Sequence, residues 1–170
     1  MGYRTRTYIA AEWDGDQDAV KQLHKWNDSK YWSLSFTDAH ELMQARDGSL
    51  NCSIKNSLST RLDASKTFVL IVGSNTKTVT SGSCQHCGSY NSWTKSCARG
   101  YSVDYRSYIE YECDKAIRDN LKIVVLYNAA TVDKSKCPEA TKNVGTHVAM
   151  YYCEKREYYW DYPAVKMSIL

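Results

Sequence analysis

Long apolar runs are missing from this chain. No stretch approaches the roughly 20 apolar residues that a membrane-spanning helix requires, so no span is expected. The opening, MGYRTRTYIAAEWDGD, turns acidic after a short apolar run and does not make a signal peptide. Its Met-Gly start is a poor myristoylation match, because position 6 is Arg. The phosphate-cradling patterns G-x-G-x-x-G and G-x-x-x-x-G-K-[ST] are absent, and VGSNTKT at 72–78 is too short to replace them. That disfavours a Rossmann dehydrogenase and a P-loop NTPase. There is no G-x-S-x-G, hence no serine nucleophile elbow. No dense Lys/Arg stripe appears either: 22 basic and 19 acidic residues leave a net charge of +3, which does not suggest a nucleic-acid partner. Proline is scarce, at 2, and no internal repeat is evident.

What remains is an ordinary globular composition, 43% apolar and 24% charged, in 170 residues. One domain spanning 1–170 is the natural expectation. A chain of this size buries about 70% of its unfolded surface, enough for a core without staples. Tyrosine is abundant, at 14, and cysteine is odd in number, at 7. With no secretory signal, a soluble, reducing, cytoplasmic setting is expected, where free thiols or a metal are favoured over disulfides.

Hydrophobic patterning alternates strand and helix. RTYIAA (6–11) is a short apolar run, followed by a turn and a helical pattern at 17–26 with Val20, Leu23 and His24 on the inward side. YWSLSF (31–36) is aromatic and suits a strand. A polar loop, TDAHELMQARDGSLN, leads to a helix over 52–62. TFVLIVG (67–73) and KIVVLY (122–127) are continuous apolar runs, as in strands buried on both faces. A helix lies between them near 106–117, a last strand is expected at 147–153, and a short helix opens at Pro163. The order implies an α/β domain: a parallel sheet of about five strands flanked by helices. Ligands on such sheets sit at the carboxyl ends of strands, here the loops after residues 11, 36 and 73. Residues 74–103 form an aperiodic connection of a length usually reserved for function or mobility.

Three groups of residues carry candidate chemistry. In the long connection, Cys84 and Cys87 form C-x2-C, His86 lies between, and Cys97 follows. With His86, Cys52 or Cys113 these could supply the four ligands of a structural zinc; the bland reading is free thiols in a packed loop. On the helix RSYIEYECDKAI, Ile109, Cys113, Ala116 and Ile117 make one stripe, and Glu110 and Glu112 fall on its two borders. The wheel does not choose between them. Glu110 lies four residues after Arg106, which invites an ordinary ion pair. Glu112 lies four after Tyr108, beside aromatics, where a carboxyl pKa can be raised. At the strand ends, Glu12, Trp13, Asp14, Asp38 and His40 fall on the expected ligand edge, with turn or helix capping as the plain alternative for the two aspartates.

The segments TYIAAEWDGD, SLSFTDAHE, TFVLIVGSNT and YIEYECDKAIRDNLKIVVLYN, in this order, resemble the TIR-like domains of bacterial Thoeris anti-phage systems. The helix pattern "aromatic, x, x, x, Glu" is met by Tyr108 and Glu112, and "K-I-[IV]" by Lys122-Ile123-Val124. The resemblance implies a flavodoxin-like TIR fold with a long Cys-containing insertion, residues 74–103, before the catalytic helix. It implies NAD+ as substrate and Glu112 as the catalytic residue. Ala11, Trp13, Phe36, Asp38 and Tyr108 are the substrate-binding candidates, and residues 37–50 correspond to a loop that shapes the pocket and in many TIR domains touches a neighbouring protomer. Cleaving the nicotinamide–ribose bond builds oxocarbenium character that one carboxylate can stabilise, and nicotinamide, already cationic, leaves without a general acid. The implied product is an ADP-ribose-derived messenger, cyclic or conjugated, that activates an effector protein after a phage-derived trigger, with self-association expected. NAD+ depletion without a messenger, and a non-catalytic TIR adaptor, are the alternatives.

Overall fold

The structure, a computed structural model, describes residues 3–39 and 50–170. Four parallel strands form the central sheet: β1 (Arg6–Ala10), β2 (Ser65–Val72), β5 (Lys122–Tyr127) and β6 (Thr146–Ala149), in the order β1-β2-β5-β6. Phe68 pairs with Tyr8 on one side and Ile123 on the other, which fixes the register at the centre. The continuous apolar runs of β2 and β5 follow from this position. Phe68, Val69, Leu70 and Ile71 are all fully buried, because helices cover both faces.

On one face, α2 (Asn51–Asp63) and α3 (Tyr108–Arg118) close over Tyr8, Phe68, Leu70, Ile123 and Val125. On the other, α1 (Trp13–Asp28) and α4 (Tyr162–Ile169) cover Ile9, Val69, Ile71, Val124 and Leu126. The odd–even alternation along each strand assigns each side chain to its face. The helix α1 begins at Trp13, four residues before the expected 17, because Glu12 caps it by accepting the N–H groups of Asp14 and Gly15. Asp14 therefore sits inside the first turn rather than capping it.

The aromatic segment 31–36 is not a strand. The side chain of Asn27 accepts the Phe36 N–H at 2.9 Å and donates to the Phe36 carbonyl at 2.8 Å, so a side chain satisfies backbone groups that a ladder would use. A single parallel bridge, Thr7 to Asp38, is the pairing found along the other edge of β1 among the described residues. That is the place a flavodoxin-like order gives its second strand. The expected strand at 147–153 divides at Met150. Its first half is β6; its second, β7 (Tyr151–Glu154), turns back through Lys155 and Arg156, both at positive φ, into β8 (Glu157–Trp160). Within 74–103 lie a 3-10 turn, Cys84–His86, and a two-residue hairpin, β3 (Tyr90–Asn91) with β4 (Ser96–Cys97). Among the described residues, no helix is long and apolar enough to cross a membrane.

Candidate functional site

The helix α3 sorts its acids by giving each a different partner. Ser107 accepts the Glu110 N–H at 3.1 Å, and Glu110 accepts the Ser107 N–H at 2.8 Å. This capping box consumes Glu110. The expected Arg106–Glu110 ion pair does not form; the Arg106 guanidinium instead holds Asp104 and Asp114, each at 2.9 Å. Lys115 turns away to Asp63 and Asp119, at 2.7 Å each. Glu112 is then the acid of α3 that faces the core, only 6% exposed and next to Cys113.

Beneath Glu112 stands Tyr8, from the middle of β1. Its hydroxyl donates a short hydrogen bond to Glu112 Oε1, and its ring stacks on Phe68 at 5.8 Å. Burial pushes the Glu112 carboxyl up to about 7; the Tyr8 hydrogen bond and the positive charge of Arg61, from α2, oppose that rise. Tyr8 is itself raised well above the ordinary phenol range, first by burial and then by Glu112. Arg61 and Asp38 also act on Tyr8 electrostatically, which joins β1, α2, α3 and the segment after residue 36 in one charged neighbourhood. Asp38 pairs with His24 Nε2 at 3.1 Å, its carbonyl accepts from Arg6 at 3.0 Å, and Phe36 meets the His24 ring edge-on at 6.0 Å.

The substrate-binding candidates therefore do not share one position. Phe36 and Asp38 lie with His24; Phe36 packs on the α1/α4 face, opposite Tyr8, and Asp38 alone of the two acts on Tyr8 electrostatically. Trp13 is 58% exposed at the start of α1, and Ala11 is half-buried against the α1/α4 face. Tyr108 packs on the same face of the sheet as Tyr8, but its hydroxyl donates to Asn51 Oδ1 at 3.1 Å and its ring lies against Gly82. His40 and most of the 37–50 loop lie outside the described residues. Sequence reasoning missed Tyr8 and Arg61. The signal for Arg61 was present, since it shares the Leu58/Leu62 side of α2 and is 6% exposed.

The carboxyl ends of the strands form a second polar cluster. Asp16, 3% exposed, sits against Gly73 at the end of β2 and is raised by burial. Asn128, just after β5, donates to both Asp16 and Asp18 at 3.0 Å. The loops after residues 11 and 73 thus meet at the expected ligand edge. Cys84, Cys87 and Cys97, the metal candidates, line one small cavity together with Cys52. All seven cysteines are free thiols.

A parallel sheet in this order, with helices on both faces, is consistent with a TIR or flavodoxin-like fold. Residues 8–81, under half of the chain, match the family model described as the TIR-like domain of the Thoeris protein ThsB. The match ends before Cys84 and before α3, so it does not reach Glu112. No curated protein matches the chain.

Proposed function

We propose that this chain cleaves NAD+ between nicotinamide and ribose, with Glu112 as the catalytic carboxylate, and passes the ADP-ribosyl group on to make a messenger that activates an effector in anti-phage defence. The observation that carries the reading is the Tyr8–Glu112 pair: a lone core-facing acid of a TIR-like domain, raised to about 7 by burial and adjoined by Arg61 and the Asp38–His24 pair. Burial costs a carboxylate its hydration, so a cationic ribosyl centre brought against Glu112 would be stabilised far more than in water. The positive charge that develops at the sugar carbon also favours the ionised carboxyl, so binding and ionisation reinforce one another.

Glu112 is 6% exposed, so the reading requires a rearrangement that opens the pair to substrate. An enzyme that is silent until a trigger arrives has this property. The same burial favours a second reading, a non-catalytic TIR interaction module in which Tyr8–Glu112 is structural. One experiment separates them. The purified chain is incubated with NAD+, alone and with lysate of phage-infected cells, and nicotinamide and ADP-ribosyl products are followed by chromatography and mass spectrometry. The enzymatic reading expects triggered nicotinamide release that falls at least about 100-fold in Glu112→Gln. Intact NAD+ under every condition establishes the interaction module. Linear ADP-ribose as the sole product would replace messenger synthesis with NAD+ depletion.

A further inference from the structure

We propose that Cys52, Cys84, Cys87 and Cys97 form a tetrathiolate zinc site that pins the 84–97 segment to the start of α2. Three separate pieces of backbone bring these side chains to one place. The 3-10 turn Cys84–His86 closes with the Cys87 N–H on the Cys84 carbonyl at 3.0 Å, which sets the two sulfurs of C-x2-C at the ends of one tight turn. The β3–β4 hairpin returns the chain so that Cys97 pairs with Tyr90. The first turn of α2 contributes Cys52. All four thiols are half-buried and line one cavity of about 20 Å³, room for a single water-sized body. His86, the remaining candidate ligand of the loop, is exposed and is not among the residues that line the cavity.

Two further features fit a thiolate. The Asp104 N–H points at Cys84 Sγ at 3.2 Å, the kind of amide donor that a charged sulfur accepts. Lys55, with Cys52 and Cys84, lines the adjoining cleft, where its ammonium offsets negative charge. The segment contributes little regular structure of its own. Its strands are two residues long, residues 91–96 are exposed, and Trp93 is 95% exposed. A unit without an apolar core of its own is held by disulfides or a metal, and these thiols are free. Four sulfur ligands in tetrahedral array select zinc among the common divalent ions.

Among the described residues, no group of three or more His, Cys, Asp or Glu side chains is arranged to hold a metal ion, so the four thiols have to draw together on binding. Only when a divalent ion displaces their four protons do the sulfurs close to about 2.3 Å from a common centre. The balance is one Zn2+ and four thiols giving a dianionic tetrathiolate and four protons, with no change of oxidation state. Bound metal would fix the connection that leads into α3, where Lys55 already holds the Arg106 carbonyl at 2.7 Å and the Tyr108 hydroxyl reaches Asn51.

The test is metal content and geometry in the full chain purified without chelator. Elemental analysis is expected to give about one zinc per chain, released in step with thiol modification, and the cobalt-reconstituted protein should show the intense d–d bands and thiolate charge transfer of a tetrahedral tetrathiolate. Cys52→Ser and Cys97→Ser should each at least halve the zinc, while Cys153→Ser, on β7, and His86→Ala leave it unchanged. Wild-type protein with under about half an equivalent overturns the site. Zinc lost in His86→Ala but kept in Cys52→Ser overturns the proposed ligand set. If the serine variants fail to fold, the wild-type stoichiometry and cobalt spectrum decide alone.

Discussion

Replacing Glu112 by Gln removes one ionisable group and keeps its shape, since the amide carbonyl can still accept the Tyr8 hydroxyl. Folding raises the Glu112 carboxyl from its ordinary 4.5 to about 7. The folded chain therefore holds a proton that the unfolded chain gives up between those two values. Stability consequently falls as pH rises from about 4.5 and levels off above about 7. At about 1.4 kcal/mol for each pH unit of displacement the full penalty is about 3 kcal/mol, of which about 2.5 kcal/mol develops between pH 5 and pH 8. Gln carries no such penalty. Subtracting the Glu112→Gln profile from the wild-type profile cancels the other titrating groups, including Asp16, raised by its own burial, and Asp104, held near 2 by Arg106 and Lys55. The expected result is a variant that gains on wild type by about 2.5 kcal/mol from pH 5 to pH 8, or about 5–10 °C in Tm for a chain of this size. Urea unfolding at several pH values, followed by near-UV circular dichroism, measures it. Parallel profiles for the two proteins would show that Glu112 ionises at its ordinary value and that the buried-acid account of the site is wrong.

Tyr8→Phe removes the donor that favours the charged form of Glu112; the pH-dependent loss of stability should shift to higher pH, with an overall cost of about 1–3 kcal/mol in the same unfolding assay. Ser107→Ala breaks the capping box of α3 and should cost about 1 kcal/mol, seen as a lower Tm by about 2–4 °C at all pH values. Gly82→Ala should cost about 1–3 kcal/mol in thermal unfolding, because Gly82 sits at φ +98° and a Cβ there would lie 2.6 Å from the Tyr108 ring.

The fold was largely legible in the chain. TFVLIVG and KIVVLY announced doubly buried strands by continuous apolarity, and both pair as expected in the parallel sheet. The segment YWSLSF misled because β propensity measures a fit to a pleated surface, and here Asn27 satisfies the Phe36 backbone in place of a partner strand. The tail HVAMYYC misled because strand-forming residues on both sides of Met150 serve different sheets. The hairpin EYYW was missed for want of a Gly or Asn in its turn; Lys155 and Arg156 adopt positive φ instead.

The sequence by itself determined the α/β alternation, the buried strands and the short list of acids on α3, since these depend on spacing along one chain. It could not choose between Glu110 and Glu112 by the wheel, because both fall at the border of the apolar stripe. The tertiary structure decided that question by partners. Ser107 takes Glu110, and Tyr8, roughly a hundred residues earlier in the chain, meets Glu112 in the core, where burial raises its pKa. It likewise brought Cys52 to the cavity of Cys84, Cys87 and Cys97. Periodicity specifies which side of a helix is buried; only packing between distant segments specifies which groups that side will meet, and with them its charge state.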